Sequence, residues 1–426
     1  MFVAIMFVVL FALIIIGAPI GIALAGSSLV YIMLSGNAPE VVVIHRMVNG
    51  VDSFPLLAVP FFILAGNLMN TAGITNRIFT FAKAIVGWMR GGLGHVNVGA
   101  SVIFAGMSGA AVADAGGLGA IEIKAMKDAG YDLDFSVGVT AASSTIGPII
   151  PPSLPMVIYG VIAGASIGQL FAAGLVPGLV MAAALMALVA WTARRRGYPR
   201  DQAFNLCLLW HSFKAAFLSL LTPVIIVGGI LFGIFTPTEA AIAACFYALL
   251  LGTLIYRTLT WKRFLRVSMD TIETTAVILF IVAGASIFAW ILTSTRTAEQ
   301  FASLILQISE NPIIVLLLIN IILIIVGCFL ETVAAITILV PVLLPIAVFV
   351  GVDPVHFGVI MVLNLMIGLL TPPVGMVLYV LARVAKIPFE RALSGTLPFL
   401  VPLVIVLLLV TYVPALSMWL PSLVYR

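Results

Sequence analysis

Charge is scarce in this chain: lysine, arginine, aspartate and glutamate together make up 8% of its 426 residues, against about 25% in ordinary soluble domains. Too little charge is present to cover a globular surface, and no segment is long and polar enough to form a soluble domain. Cysteine is also rare. Cys207, Cys245 and Cys328 show no CxxC spacing, and His45, His95, His211 and His356 are scattered, so neither a disulfide framework nor a metal cluster is expected. HExxH and paired intramembrane aspartates are missing, which argues against an enzyme. The net charge of +4 forms no basic stripe, so nucleic acid is not an expected partner. The opening "MFVAIMFVVLFALIIIGAP" lacks the basic start of a cleaved signal and reads as a retained helix, although "ALAG" at 23–26 weakly imitates a cleavage site.

What is present is apolar: 63% of the residues are hydrophobic and the mean hydropathy is +1.27. Runs of about 17 to 25 apolar residues recur along the whole length, enough to cross about 30 Å of hydrocarbon as helices. The fold class expected is therefore an all-α integral membrane protein. Self-comparison shows a duplication. Pro19 matches Pro237, and "FILAG" at 62–66 matches "FIVAG" at 280–284, at an offset of 218. Past a three-residue insertion the offset becomes 221, pairing Gly106 with Gly327, Asp132 with Asp353, Gly147 with Gly368, and Pro151 and Pro152 with Pro372 and Pro373. The units span residues 1–205 and 206–426, a period too long for a solenoid and suited to the paired halves of secondary transporters.

Each half reads as two spans joined at a proline, a third span, an amphipathic stretch, a small-residue segment with a polar centre, a broken helix and a last span. The polar-centred segments, 97–120 and 318–341, are expected to be re-entrant hairpins, and the broken helices are placed at 135–163 and 356–381. Five crossings per half would force the halves into opposite orientations. Basic residues, which favour the cytoplasmic side of short loops, agree with this. All of the 20 lysines and arginines fall on the predicted cytoplasmic side except Arg46, Arg296 and Arg426.

"STIGPIIPPSL" at 144–154 and "MIGLLTPPVGM" at 366–376 place helix breakers at matched positions. Proline removes an amide donor and obstructs the preceding turn, leaving carbonyls without helical partners. In hydrocarbon each such group costs several kcal/mol, so irregular backbone persists only where protein or a polar cavity satisfies it. Carbonyls suit a cation, and the N-terminus of the following half-helix suits an anion. Asp114 and Glu331 lie inside the two hairpins, where a charge costs about 2.5–3.5 kcal/mol at a helix centre. Both are expected to tie the hairpin arms, although their alignment is unequal, since Ala110 matches Glu331 and Ala335 matches Asp114. No lysine or arginine lies in the expected hairpins or broken helices. An anionic cargo would then be met by helix termini, hydroxyls, Asn364 and bound cations, with Ser108, Ser143, Ser144, Thr145, Thr332 and Thr371 as further side-chain ligands.

At these residues the chain resembles the large membrane subunit of a tripartite ATP-independent periplasmic (TRAP) transporter, of the ion transporter superfamily. The resemblance runs through "NGVDSFPLLAVPFFILAGNLMNTAGI" at 49–74, "GGLGHVNVGASVIFAGMSGAAVADAGGLGA" at 91–120, "IGPIIPPSLPMVIYG" at 146–160, "GIFTPTEAAIAACFYAL" at 233–249 and "FGVIMVLNLMIGLLTPPVGMVLYV" at 357–380. It implies a multi-pass protein of the bacterial inner membrane and an elevator mechanism. It also implies import of organic acid anions (C4-dicarboxylates, sialic acid or sugar acids) driven by two or more Na⁺. Its implied partners are a small four-helix membrane subunit and a periplasmic substrate-binding protein, both expected as separate chains. One Na⁺ site would draw on Gly106, Met107, Ser108, Gly147, Ile150 and Pro152. A second would draw on Gly327, Gly368 and Thr371. Substrate would meet Ser108, Ser144, Thr145 and Asn364. Glu331 stands where many relatives would have aspartate.

In this reading the hairpins and broken helices form a mobile domain that slides against the remaining spans. The amphipathic stretch 74–92 would lie at the cytoplasmic interface as an arm linking the two. Proton coupling is the alternative drive. A channel is the alternative class, disfavoured because paired dead-end hairpins offer no continuous polar path.

Overall fold

The computed structural model describes residues 2–201, 203–297, 300, 309 and 311–425, with only the backbone of Ser108. Every regular element among these residues is helical, and eight helices are long and apolar enough to cross a membrane. Their ends follow from local chemistry. Proline opens several, with a capping residue before it: Asn311 before Pro312–Phe329, Asp353 before Pro354–Gly368, and Thr236, which forms a full capping box with Glu239, before Pro237–Leu250. Glycine in the left-handed region closes others, as Gly164 and Gly197 do.

The element order repeats as the duplication requires. Phe2–Ile15, Ile20–Ser35 and Phe54–Thr71 correspond to Leu206–Leu231, Pro237–Ile255 and Trp261–Ser294. The first hairpin runs from Gly92–Ser108 through a break to Ala111–Gly116 and Leu118–Asp128, and the second pairs Pro312–Phe329 with Thr332–Phe349. The broken helices are Leu133–Ser144 with Leu154–Ala163, and Pro354–Gly368 with Met376–Ala385. In both breaks the proline pair, Pro151–Pro152 and Pro372–Pro373, is joined by a cis peptide.

Two packed bodies result. A core holds both hairpins, both broken helices and the last spans Ile167–Arg196 and Phe389–Tyr412, with Ala415–Val424 across them. The last spans thus pack against the broken helices, whereas the sequence suggests grouping them with the surrounding spans. A frame holds the first three spans of each half and a helix the sequence does not suggest, Val41–Val51, which packs on Trp261–Ser294. Ile74–Val86, within the expected arm, lies against both Leu206–Pro223 of the frame and the first hairpin. The Arg77 guanidinium sits 3.7 Å from the ring centre of Tyr256 and donates to Ala215 O at 3.3 Å, anchoring this helix to the frame.

The hairpins are longer than expected. The first extends past 120 to Asp128 because its second arm leaves the apolar layer with its charges on the outside: Lys124, Lys127 and Asp128 are exposed, whereas Glu122 is buried. At that end the core is tied to the chain that follows it. Asp132 accepts from Arg196 at 2.8 Å and from Tyr198 at 2.6 Å, and Arg391 pairs with Asp134 at 2.5 Å. The Tyr198 hydroxyl and, more weakly, the Arg196 guanidinium hold the Asp132 carboxyl below its ordinary range.

Exposed tryptophans sit near the ends of the long helices, as residues at a membrane–water interface would. Trp88, Trp191, Trp210 and Trp261 are exposed beside the basic loops, with Arg195 and Lys214 lying 4.0 Å and 5.2 Å from the rings of Trp191 and Trp210. Arg46, assigned to the opposite side, lies 5.1 Å from the Trp290 ring. Arg426 and part of the 294–315 loop lie outside the described residues. Cysteines at Lys127 and Gly351, in a chain without the exposed Cys207, should be labelled from opposite compartments, Lys127→Cys from the cytoplasm. Labelling of both from one side would rule out the inverted repeat.

Candidate functional site

The breaks and the hairpin tips converge. A cavity of about 710 Å³ is lined by Ala110–Val112 of the first tip and Glu331–Val333 of the second, positions matched by the repeat. Pro148, Leu154 and Pro155 of the first break and Met366, Leu369 and Met376 of the second complete the core wall. The frame closes it with residues 18–21 and with Glu273, Thr274 and neighbours of Trp261–Ser294.

In the first half the hairpin grips the break at two points. Gly109, at φ 62°, ends the first arm, and a Cβ there would approach Pro152 O to 2.5 Å. Asp114, 2% exposed, reaches from the second arm onto Gly147, where a Cβ would collide with its Oδ2. Gly147 and Pro152 are thus brought to the hairpin tip, and Met107 and Ile150 are buried nearby in the core. Gly106 faces elsewhere, since its missing Cβ would stand 2.6 Å from Pro223 of the frame. The side chain of Ser108 lies outside the described residues.

In the second half the backbones themselves touch. A Cβ on Gly368 would lie 2.5–2.8 Å from the Cα, C and O of Gly327, and Val374 N donates to Cys328 O at 3.3 Å. Thr371 Oγ1 donates to Ile367 O at 2.7 Å. Glu331 caps the second arm, accepting from Val333 N at 2.9 Å and Ala334 N at 3.3 Å. A half-buried carboxylate is thereby offset by two amides and the positive end of a helix.

Ser144, Thr145 and Asn364 are buried in the core, outside the cavity lining. Ser144 and Thr145 donate to Ala141 O at 2.8 Å and Ala142 O at 2.6 Å, which leaves their lone pairs as their remaining chemistry. Asn364 donates to Asn320 Oδ1 at 2.8 Å, while its own Oδ1 is buried with no described partner. The matched residue Ser143 does the same in the first half, donating to Asn97 Oδ1 at 2.6 Å. Asn97 in turn donates to Thr140 at 2.6 Å, and Asn320 to Thr411 at 3.1 Å. Asn97, Asn320 and the cavity residue Glu273 are not among the residues the sequence singles out by helix breaking. Their signal is a different one, polar residues within the largely apolar runs "GHVNVGAS", "LLINIIL" and "IETTAVILF".

An all-helical core with paired hairpins and paired breaks around a cavity, framed by membrane-crossing helices, defines a membrane permease. Residues 7–416 match the family model of the tripartite ATP-independent periplasmic transporter, DctM component, and the chain belongs to that family. It is 51% identical over 407 residues to the sialic acid TRAP transporter large permease protein SiaM of Vibrio cholerae, covering 96% of this chain and 95% of that one. It is 44% identical over 408 residues to the sialic acid TRAP transporter permease protein SiaT of Haemophilus influenzae, covering 96% of this chain and 66% of that longer one. The crystal structure of the Alcanivorax borkumensis YdaH transporter superposes with a TM-score of 0.62 at 12% identity, covering 89% of this chain and 87% of that one, a likeness of fold. Family membership makes the protein a multi-pass component of the inner membrane, and its relatives are permease subunits rather than enzymes.

Because the Gly327–Gly368 crossing has no room for a methyl group, Gly368→Ala should cost about 1–3 kcal/mol of stability through overpacking. Gly228→Ala, where a Cβ meets open space, should stay within about 0.5 kcal/mol. Thermal unfolding of both variants in detergent checks the difference.

Proposed function

We propose that this chain is the membrane permease of a Na⁺-coupled importer of organic acid anions, in which the core moves as an elevator against the frame. The observation that carries this reading is the convergence of two unwound segments and two hairpin tips on one cavity at the boundary between core and frame. Na⁺ is a cargo suited to such a place, because it is held by carbonyl, hydroxyl and carboxylate oxygens. In the first half these would come from the backbone around Met107, Gly147, Ile150 and Pro152, with Asp114 supplying charge. In the second they would come from Gly327, Gly368 and Thr371, near Glu331. Cations there would also offset the charge of an anion in the cavity, whose lining holds no lysine or arginine. Ser144, Thr145 and Asn364 are better suited to shaping the breaks than to touching cargo.

The distribution of hydrogen bonds supports movement between the bodies. Side-chain hydrogen bonds tie distant helices together within the core (Asn97–Thr140, Asn320–Thr411) and within the frame (Asn67–Thr271, Ser219–Tyr256). Across the boundary, the contact of Gly106 with Pro223 is apolar, while Asn70 Nδ2 of the frame faces Gly117 of the first hairpin. A small membrane subunit and a periplasmic substrate-binding protein would complete the system, and the sialic acid relatives make a sialic or sugar acid the leading cargo.

Proton coupling is the second reading, and one observation favours it. Glu122, in the second arm of the first hairpin, is 1% exposed, and its Oε1 has no described hydrogen-bond partner.

Replacing Na⁺ by K⁺ in vesicles containing the assembled system should abolish uptake of the binding protein's ligand. Uptake that persists in K⁺ and follows an imposed proton gradient would instead establish the Glu122 reading. Asp114→Asn should raise the Na⁺ concentration for half-maximal uptake by roughly tenfold or more, since a unit charge about 4 Å from a cation contributes on the order of 1–4 kcal/mol between bulk-water and near-surface dielectric. An unchanged Na⁺ dependence would remove Asp114 from the cation site.

A further inference from the structure

The central cavity has an unusual charge pattern for a protein that carries anions. Its polar side chains are Glu273 and Thr274 from the frame and Glu331 and Thr332 from the core, and no lysine, arginine or histidine joins them. The two glutamates are not equivalent. Glu331 is occupied as the cap of the second hairpin arm, with two amides on its Oε2. Glu273 lies in the interior of Trp261–Ser294, away from any helix start, and is exposed on the cavity wall. Among the described residues its carboxylate takes part in no ion pair. Its carboxylate is therefore open to whatever occupies the cavity.

We propose that Glu273 makes the cavity select singly charged, hydroxyl-rich acids and reject dicarboxylates. This rests on the reading of the cavity as the place where an organic anion is carried. An ionised carboxylate only accepts hydrogen bonds. It suits the hydroxyl and amide N–H groups along a polyhydroxylated acid and repels a second carboxylate brought to the same wall. The ligand's one carboxylate would then be directed to the core side, toward the breaks and their cations, while its polar tail spans to the frame. The size agrees. A volume of about 710 Å³ falls within the range of about 300–1,000 Å³ typical of sites for drug-sized ligands, and a four-carbon diacid would leave much of it empty. Placing the discriminating charge on the frame has a mechanical consequence, because the frame stays behind when the core moves. Glu273 would thus test cargo at loading and not travel with it.

The test uses the purified full-length chain in detergent with Na⁺, followed by thermal shift over a concentration series of a sialic acid and of succinate. Wild-type protein should be stabilised by the sialic acid at concentrations at least about tenfold below those at which succinate acts. Glu273→Gln keeps the shape and removes the charge. Its unfolding midpoint without ligand should match wild type, and the preference should fall by about tenfold. A preference equal in wild type and variant overturns the filter while leaving organic-acid transport intact. Stabilisation by neither acid, in a chain that unfolds cooperatively, overturns both the filter and the reading of the cavity on which it rests.

Discussion

Irregular backbone placed inside a membrane must find partners within the protein, and this fold is organised around meeting that requirement twice. Each break is met by the tip of the hairpin from its own half. In the first, Asp114 covers Gly147 and Gly109 admits Pro152; in the second, Gly327 lies on Gly368 and Cys328 O receives Val374 N. Without the hairpins the unwound segments would present carbonyls to hydrocarbon at several kcal/mol each. Without the breaks the hairpin tips would have nothing polar to face. Small residues at the crossings follow from this, because backbone can approach backbone only where side chains are absent.

The repeat is faithful in geometry and looser in chemistry. Ser143 and Asn364 occupy matched positions, and each bonds an asparagine on the first arm of its own hairpin, Asn97 or Asn320. The carboxylates are displaced by four residues, Glu331 matching Ala110 while Asp114 lies further along its arm. Residues four apart in a helix share a face, so each hairpin still aims a carboxylate from the start of its second arm. The displacement has a consequence. Glu331 spends its charge on the helix start, while Asp114 reaches the opposing break. If both places hold Na⁺ as proposed, they need not hold it equally well.

The duplication, the helix breaks and the hairpins were legible in the sequence because each depends on residues that stand out against an apolar background. Pro151, Pro152, Pro372 and Pro373 mark the breaks. What could not be read is which face of a helix meets which neighbour. In a soluble protein polarity separates the buried face from the exposed one, but a helix facing lipid is apolar all round. Hence Gly106, expected beside a break, faces Pro223, and Ser144 and Thr145 bond their own helix instead of lining the cavity. For the same reason the last spans could not be assigned to the core, and Val41–Val51 could not be told from a loop.

The sorting of polar and apolar packing between the bodies bears on how such a protein can move. A hydrogen bond broken in a low-dielectric interior leaves unpaired groups at about 1–3 kcal/mol or more, so a boundary rich in them would resist sliding. Here the ties Arg391–Asp134, Tyr159–Pro354 and Asn320–Asn364 bind separate helices of the core into one unit. The frame is bound likewise, by Tyr247–Leu218 and Thr258–Ala72. Apolar surfaces that part on one side of a sliding boundary can meet again on the other at little net cost, because one methyl group resembles another. Under the proposed sliding of core against frame, the low charge of the sequence would serve that boundary as much as the lipid-facing surface. Glu273 is an exception, a charged side chain exposed on the frame wall of the cavity.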